Sequence, residues 1–183
     1  MRRSAQEPVV VNRDVRAVIV PAGVEVKLRP GTVGTITQAL GGSYTIYVEG
    51  NLFRIAGVDG DAIGKESVQP PALPAGASDD DVSRVVQDQL RTCYDPEIPI
   101  NIVDLGLVYE CKVANNPDGT RDVSVKMTLT APGCGMGEVL VADVRDKLKL
   151  IPTMRNVDVE LVFDPPWNYS MMSEAARLQT GMM

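Results

Sequence analysis

The chain contains no histidine. That one absence excludes Ser-His-Asp and Cys-His catalysis, and with them every His-ligated zinc site. Cysteine is scarce. Three thiols cannot complete a four-cysteine metal site within one chain, and an odd count argues against a disulfide framework. No apolar run is long enough to cross a bilayer. Arg2 and Arg3 are followed by polar residues and Pro8 rather than by an apolar segment, so the start does not read as a targeting signal. A reducing, cytoplasmic location is the expectation. Positive charge is also lacking where most of the charge lies. Residues 1–72 hold eight Lys/Arg and seven Asp/Glu, a balance of +1, and residues 73–183 hold ten and seventeen, a balance of −7. The second part would repel nucleic acid or an anionic membrane, which argues against both as partners.

What is present is organised around residues 127–137, Met-Thr-Leu-Thr-Ala-Pro-Gly-Cys-Gly-Met-Gly. Its first half alternates apolar and hydroxyl side chains, as a half-buried strand does. Pro132 and Gly133 stop the strand, and Met136, Leu140, Val144, Leu148 and Ile151 then follow at helical spacing. Cys134 therefore falls in a tight turn just before a helix. Unpaired N–H groups and the helix dipole favour a thiolate there, which suits a reactive or metal-binding cysteine.

Before this stretch, short β-type runs at 17–20, 24–28, 32–39, 43–48 and 52–55 are separated by Pro/Gly turns, with a possible further strand at Val9-Val10-Val11. Five short strands with tight turns predict a small barrel. The run Arg29-Pro30-Gly31-Thr32-Val33-Gly34-Thr35-Ile36, followed by Gly-Gly-Ser-Tyr-Thr-Ile, resembles SH3-like barrels. Residues 1–66 are accordingly expected to form a barrel, read as a docking module. Residues 67–78, with three prolines at 70, 71 and 74, are expected to form a linker, and 79–183 a second domain.

In that second domain Ser78 and Asp81 predict a capping box for a helix running to Tyr94. Val82, Val86, Leu90 and Cys93 share one of its faces, which makes Cys93 a core residue. A strand placing Leu105, Leu107, Tyr109, Cys111 and Val113 inward follows a loop containing Asp95, Glu97 and Asp104. The next strand turns Val123, Val125, Met127 and Leu129 inward and Ser124, Lys126, Thr128 and Thr130 outward. After the Cys134 turn and its helix, a last strand turns Val157, Val159, Leu161 and Phe163 inward. The order helix, strand, strand, helix, strand predicts an α+β two-layer sandwich with both helices on one face. The tail concentrates Trp167 with several methionines and reads as a docked flap.

Three stretches, residues 94–109 (Tyr-Asp-Pro-Glu-Ile-Pro-Ile-Asn-Ile-Val-Asp-Leu-Gly-Leu-Val-Tyr), residues 127–137 and residues 164–167 (Asp-Pro-Pro-Trp), resemble the SufT-type iron–sulfur assembly factors. The wider family includes PaaD-like proteins and cytosolic iron–sulfur targeting factors. The resemblance covers about residues 79–183 and implies an iron–sulfur assembly domain-like fold with an auxiliary role in maturing iron–sulfur proteins. It carries over Asp95, Glu97, Thr130 and Cys134 as cofactor-binding residues, with Cys134 the metal ligand. It implies a transiently held cluster or iron rather than a tightly bound cofactor. The implied partners are iron–sulfur scaffolds, P-loop ATPase carriers and client apoproteins, with a homo-oligomer left open.

The residue chemistry agrees with this. Thiolate is the ligand such clusters prefer, and one cysteine per chain gives a partial site that can let its cargo go. Asp95 and Glu97 either hold their loop through backbone N–H groups or offer hard oxygen donors to iron. Thr130 could orient the thiolate. Two other functions compete with the assembly factor: an adaptor that binds no metal, and a thiol enzyme. The enzyme would need Asp, Glu or Lys as its base, which weighs against it.

Overall fold

The computed structural model describes residues 6–95, 97–133 and 135–182. The chain divides into two compact units, residues 1–70 and 71–183.

Unit 1 is built from hairpins whose turns the sequence punctuates with glycine. Its strands are β1 (Glu7–Val10), β2 (Val15–Val20), β3 (Val24–Leu28), β4 (Val33–Leu40), β5 (Ser43–Val48) and β6 (Asn51–Ala56), followed by a 3-10 helix at Gly57–Ile63. They form one antiparallel sheet in the order β1-β4-β5-β6-β2-β3. The expected barrel is not closed. β1 and β3 are the two ends of the sheet, and among the described residues no ladder joins them. Val11 instead exchanges two backbone hydrogen bonds with the β3–β4 turn, donating to the Thr32 carbonyl (2.8 Å) and accepting from Gly31 (2.7 Å). Alternate residues of these strands point inward, and Val11, Ala17, Ile46, Ile55 and Ala62 form the centre of the core. Gly57 is needed at its position: a Cβ there would lie 1.5 Å from the Gly42 carbonyl oxygen.

Unit 2 runs α1 (Asp79–Leu90), β7 (Val108–Asn115), β8 (Arg121–Met127), α2 (Gly137–Lys149), β9 (Met154–Leu161) and a short α3 (Glu174–Thr180). The mixed α+β order is that expected, and the short helix that Ser173 caps in the tail, also expected from the sequence, is α3. Ser78 caps α1 through a reciprocal box with Asp81. The helix ends at Leu90 rather than near Tyr94, and its continuation is taken up in turns. Within residues 67–78, Leu73 and Ala77 pack against the unit 2 core, and the Ala77 carbonyl accepts from Arg121 Nη2 (3.3 Å).

The sheet order is β7-β8-β9, with β7 antiparallel and β9 parallel to β8. The parallel pair needs a crossover, and α2 supplies it. Val86, Leu90 and Cys93 from the α1 side meet Val125, Met127, Val144 and Leu148 in one core, so Cys93 is packing, as expected. Leu105 and Leu107 are buried but lie in turns before β7, not within a strand. A bulge between Val108 and Glu110 shifts the alternation by one residue. Val108, Cys111 and Val113 therefore pack against the core, and Tyr109 is released to bond elsewhere. Phe163, expected inward, lies beyond the end of β9 and is 45% exposed.

Candidate functional site

Strand pairing sets where the important side chains fall. Val108 opens β7 opposite Met127, the last residue of β8, and Leu161 closes β9 beside the same Met127. The start of β7 and the carboxyl ends of the parallel pair thus share one edge of the sheet. Three connections meet there: residues 94–107 before β7, residues 128–136 between β8 and α2, and the tail after β9. A βα connection at the carboxyl ends of parallel strands is where α/β arrangements place ligands.

Hydrogen bonds tie the three together. The Thr128 amide donates to the Leu107 carbonyl (2.8 Å), and the Val162 amide donates to the Met127 carbonyl (2.8 Å). Trp167 donates its Nε1 proton to the Leu105 carbonyl (2.7 Å), and the Ser173 amide donates to Asp104 (2.8 Å). Tyr109 donates its hydroxyl to the Pro165 carbonyl (2.7 Å). Trp167 also meets Tyr169 edge to face at 5.2 Å between centroids. The tail is therefore docked, and it requires Gly106. That glycine has φ +73°, and a Cβ on it would lie 2.1 Å from the Met171 carbonyl oxygen.

Asp95 is 3% exposed, and both of its carboxylate oxygens accept hydrogen bonds. Oδ1 accepts from the amides of Glu97 (2.9 Å) and Ile98 (2.8 Å), which folds the loop into an Asx turn. Oδ2 accepts from the Thr130 hydroxyl (3.3 Å), so the site residues Asp95 and Thr130 join two of the connections. Asn101 and Asp104 brace the rest of this loop: Asn101 Nδ2 donates to Asp104 Oδ2 (2.7 Å), and the Asp104 amide donates back to Asn101 Oδ1 (2.9 Å). The Glu97 side chain is exposed.

The outward reading of Thr128 and Thr130 does not hold. Thr130 is half-buried and Thr128 is 1% exposed, because the converging chain covers this end of a face that is open farther along β8. Sequence alternation could not show that covering.

Cys134 lies outside the described residues. Downstream, α2 begins at Gly137, with Met136 at its N-cap making no side-chain cap bond among the described residues. A Cβ on Gly137 would lie 2.9 Å from Leu129 Cδ1 and 3.5 Å from Leu161 Cδ1, so the helix start sits tightly on the same sheet edge. The other two cysteines have different surroundings. Cys93 is fully buried, with its sulfur directed to the Gln89 carbonyl (3.7 Å). Cys111 is half-buried beside a shallow cavity of about 120 Å³ between α1 and β7, and burial pushes its thiol pKa up. Among the described residues no three His, Cys, Asp or Glu side chains gather as a metal site.

The fold and its geometry define a class: an α+β domain whose βα connection is braced by a second loop and a docked tail. Comparison with known proteins then gives the family. Residues 83–161 match the family described as "Iron-sulfur cluster assembly protein". The chain is 47% identical over 94 residues to the "Fe-S protein maturation auxiliary factor" of Porphyromonas gingivalis, covering 51% of this chain and 86% of that one. It is 41% identical over 88 residues to "Fe-S protein maturation auxiliary factor SufT" of Staphylococcus aureus, covering 48% and 96% respectively. With "Fe-S protein maturation auxiliary factor YitW" of Bacillus subtilis it shares 34% identity over 97 residues, covering 53% and 91%. The chain belongs to this family of iron–sulfur maturation factors. The family match begins within α1, so unit 1 lies outside it.

Proposed function

We propose that the protein is an auxiliary factor in iron–sulfur protein maturation, acting in the cytoplasm within a SUF-type system and not as an enzyme. Cys134 serves as a transient ligand for iron or a cluster, or as the contact with a cluster donor. The observation that carries this reading is the meeting of three motif stretches, separated in sequence, at one sheet edge. They hold four acids (Asp95, Glu97, Asp104 and Asp164) and no lysine or arginine, a balance suited to cationic cargo. Cluster or iron is cargo here. A single thiolate, with the exposed Glu97 carboxylate as a hard donor on the connection that Asp95 and Thr130 tie to the Cys134 stretch, makes an incomplete coordination sphere that a scaffold or client can complete and then empty. Asp95 and Thr130 act by holding the loops around that sphere, since the Asp95 oxygens are already taken by three protons.

Scaffold or P-loop carrier proteins on one side and client apoproteins on the other are the partners of such a role. Unit 1, which we read as an SH3-like sheet, serves as a docking module added to the family domain. Anaerobic reconstitution with iron and sulfide tests the proposal. Visible absorption in the wild type that is lost in Cys134→Ser supports the ligand role of Cys134; an unchanged spectrum in the wild type sinks that role.

A second reading has its own observation. Phe163 and Tyr169 are 45% and 54% exposed on the tail that carries Trp167, as in a protein-recognition surface. On that reading the domain is an adaptor that docks clients on the assembly machinery and holds no metal. The same spectra decide between the two.

A further inference from the structure

β3 (Val24–Leu28) is one end of the unit 1 sheet: it pairs with β2 on one side and, among the described residues, with no strand on the other. An unpaired edge can take up a further strand, and proteins guard such edges with proline, bulges or charge. β1 carries Pro8, β7 a bulge between Val108 and Glu110, and β9 the exposed acids Asp158 and Glu160. β3 has no proline, and its ladder with β2 runs without a shift from Leu28 to Val24. Its guard is charge of both signs: the Glu25 and Lys27 side chains are 60% and 69% exposed.

The strand sequence, Val-Glu-Val-Lys-Leu, complements itself when reversed. Set antiparallel to β3 of a second copy about Val26, Glu25 stands opposite the copy's Lys27 and Lys27 opposite its Glu25. Val24 then meets Leu28, Val26 meets Val26, and the core faces of the two sheets stay on one side. That face is short of cover. By alternation Val24 and Val26 lie on the same face as the buried Leu28, yet Val24 is 53% exposed and Val26 half-buried. The outer face has its own need, because Lys27 lies directly across from Arg16 on β2, a like-charge pair that an acid on the other side would offset. The pairs made within the chain, Glu25 with Arg16 and Lys27 with Asp14, are exposed and weak enough to exchange.

The geometry points to a homodimer in which the β3 edges of two copies pair across a two-fold axis and join the unit 1 sheets into one. Charge sets the specificity: a strand with a lysine opposite Lys27 is repelled, and a reversed second copy supplies the acid.

Sedimentation equilibrium of the full chain tests this with wild type, Glu25→Lys, Lys27→Glu and the two variants mixed in equal amounts. A ladder of this length buries a small area, so concentrations should reach about 1 mM. Wild type is expected to dimerise. Each variant alone should associate about tenfold more weakly, because like charges then stand opposite each other twice. The mixture should recover a dimer of wild-type strength, since a strand carrying two lysines meets one carrying two glutamates. A wild type that stays monomeric leaves this edge to solvent or to a strand of another protein and overturns the inference. Variants that dimerise like wild type place the interface elsewhere and overturn it too, as does a mixture no stronger than the variants alone.

Discussion

The two units differ in how many polar groups they bury. In unit 1 the charged contacts lie at the surface: Arg13 with Asp59 and Asp61, Arg16 with Glu25, and Lys65 with Glu7. Such pairs are screened and add little to stability. Three of its five strand pairings join consecutive strands, so most of its sheet closes short loops. Unit 2 has surface pairs as well, such as Arg155 with Asp118 and Asp122, but it adds polar groups that are buried. Of the five buried polar or charged side chains among the described residues (Ser43, Asp95, Thr128, Asp143 and Lys147), four lie in unit 2. Lys147 bonds Asp143 (3.2 Å) and also the Thr92 carbonyl beyond the end of α1 (2.6 Å), which ties the two helices together. Asp95 and Thr128 sit where the site connections meet. Burying such groups costs free energy unless they are satisfied. The unit that tolerates this cost is also the one the family match covers.

The largest test of that contrast is Gly57→Ala. The new Cβ would need the space of the Gly42 carbonyl, 1.5 Å away, and should cost more than about 4 kcal/mol. Unit 1 should lose its strand signals in an NMR spectrum while those of unit 2 stay in place. Loss of both would break the comparison.

Leu129→Ala comes next. Leu129 is buried against Gly137 at the start of α2, and removing it should cost about 2–5 kcal/mol through cavity formation. Urea denaturation should show the loss in unit 2 alone.

Asp95→Ala is a smaller change, about 1–3 kcal/mol, because it leaves the Glu97 and Ile98 amides and the Thr130 hydroxyl without their acceptor. It sharpens the contrast because loop order and cluster retention should fall together. Stability lost with retention intact would make Asp95 purely structural.

The smallest effect belongs to the surface network of unit 1. The Arg13 guanidinium lowers the Asp61 pKa from 3.8 to about 2. A carboxylate with a depressed folded pKa contributes stability above its unfolded value and loses it as pH falls through the folded one. Unit 1 should therefore weaken slightly between about pH 4 and pH 2, and Asp61→Asn should flatten that part of its stability curve. An identical acid limb in the variant would remove Asp61 from the account.

Much of the local structure was legible. Glycine and proline turns placed the strands of unit 1 to within a residue or two, and 43–48 and 24–28 coincide with β5 and β3. The Ser78–Asp81 box and the apolar face carrying Cys93 were equally plain. The site was legible as three motifs, through resemblance, but its assembly was not. A bulge at Tyr109, the early end of β9 before Phe163 and the turns holding Leu105 and Leu107 all depend on what packs across the sheet. The closed barrel expected of unit 1 met the same limit, since short strands and tight turns do not specify whether the first and last strands pair.

The sequence alone determined the elements, because periodicity, capping and turn chemistry act over a few residues. It also determined, by lacking histidine and having only three cysteines, which chemistries are closed to this chain. Tertiary structure decided which side chains share a space. Asp95 meets Thr130, Trp167 meets Leu105, and Thr128 is enclosed rather than exposed. Each outcome depends on residues far apart in the chain that only the parallel β8–α2–β9 crossover brings to one edge. Burial is a property of all the segments that meet there, and no single stretch carries it.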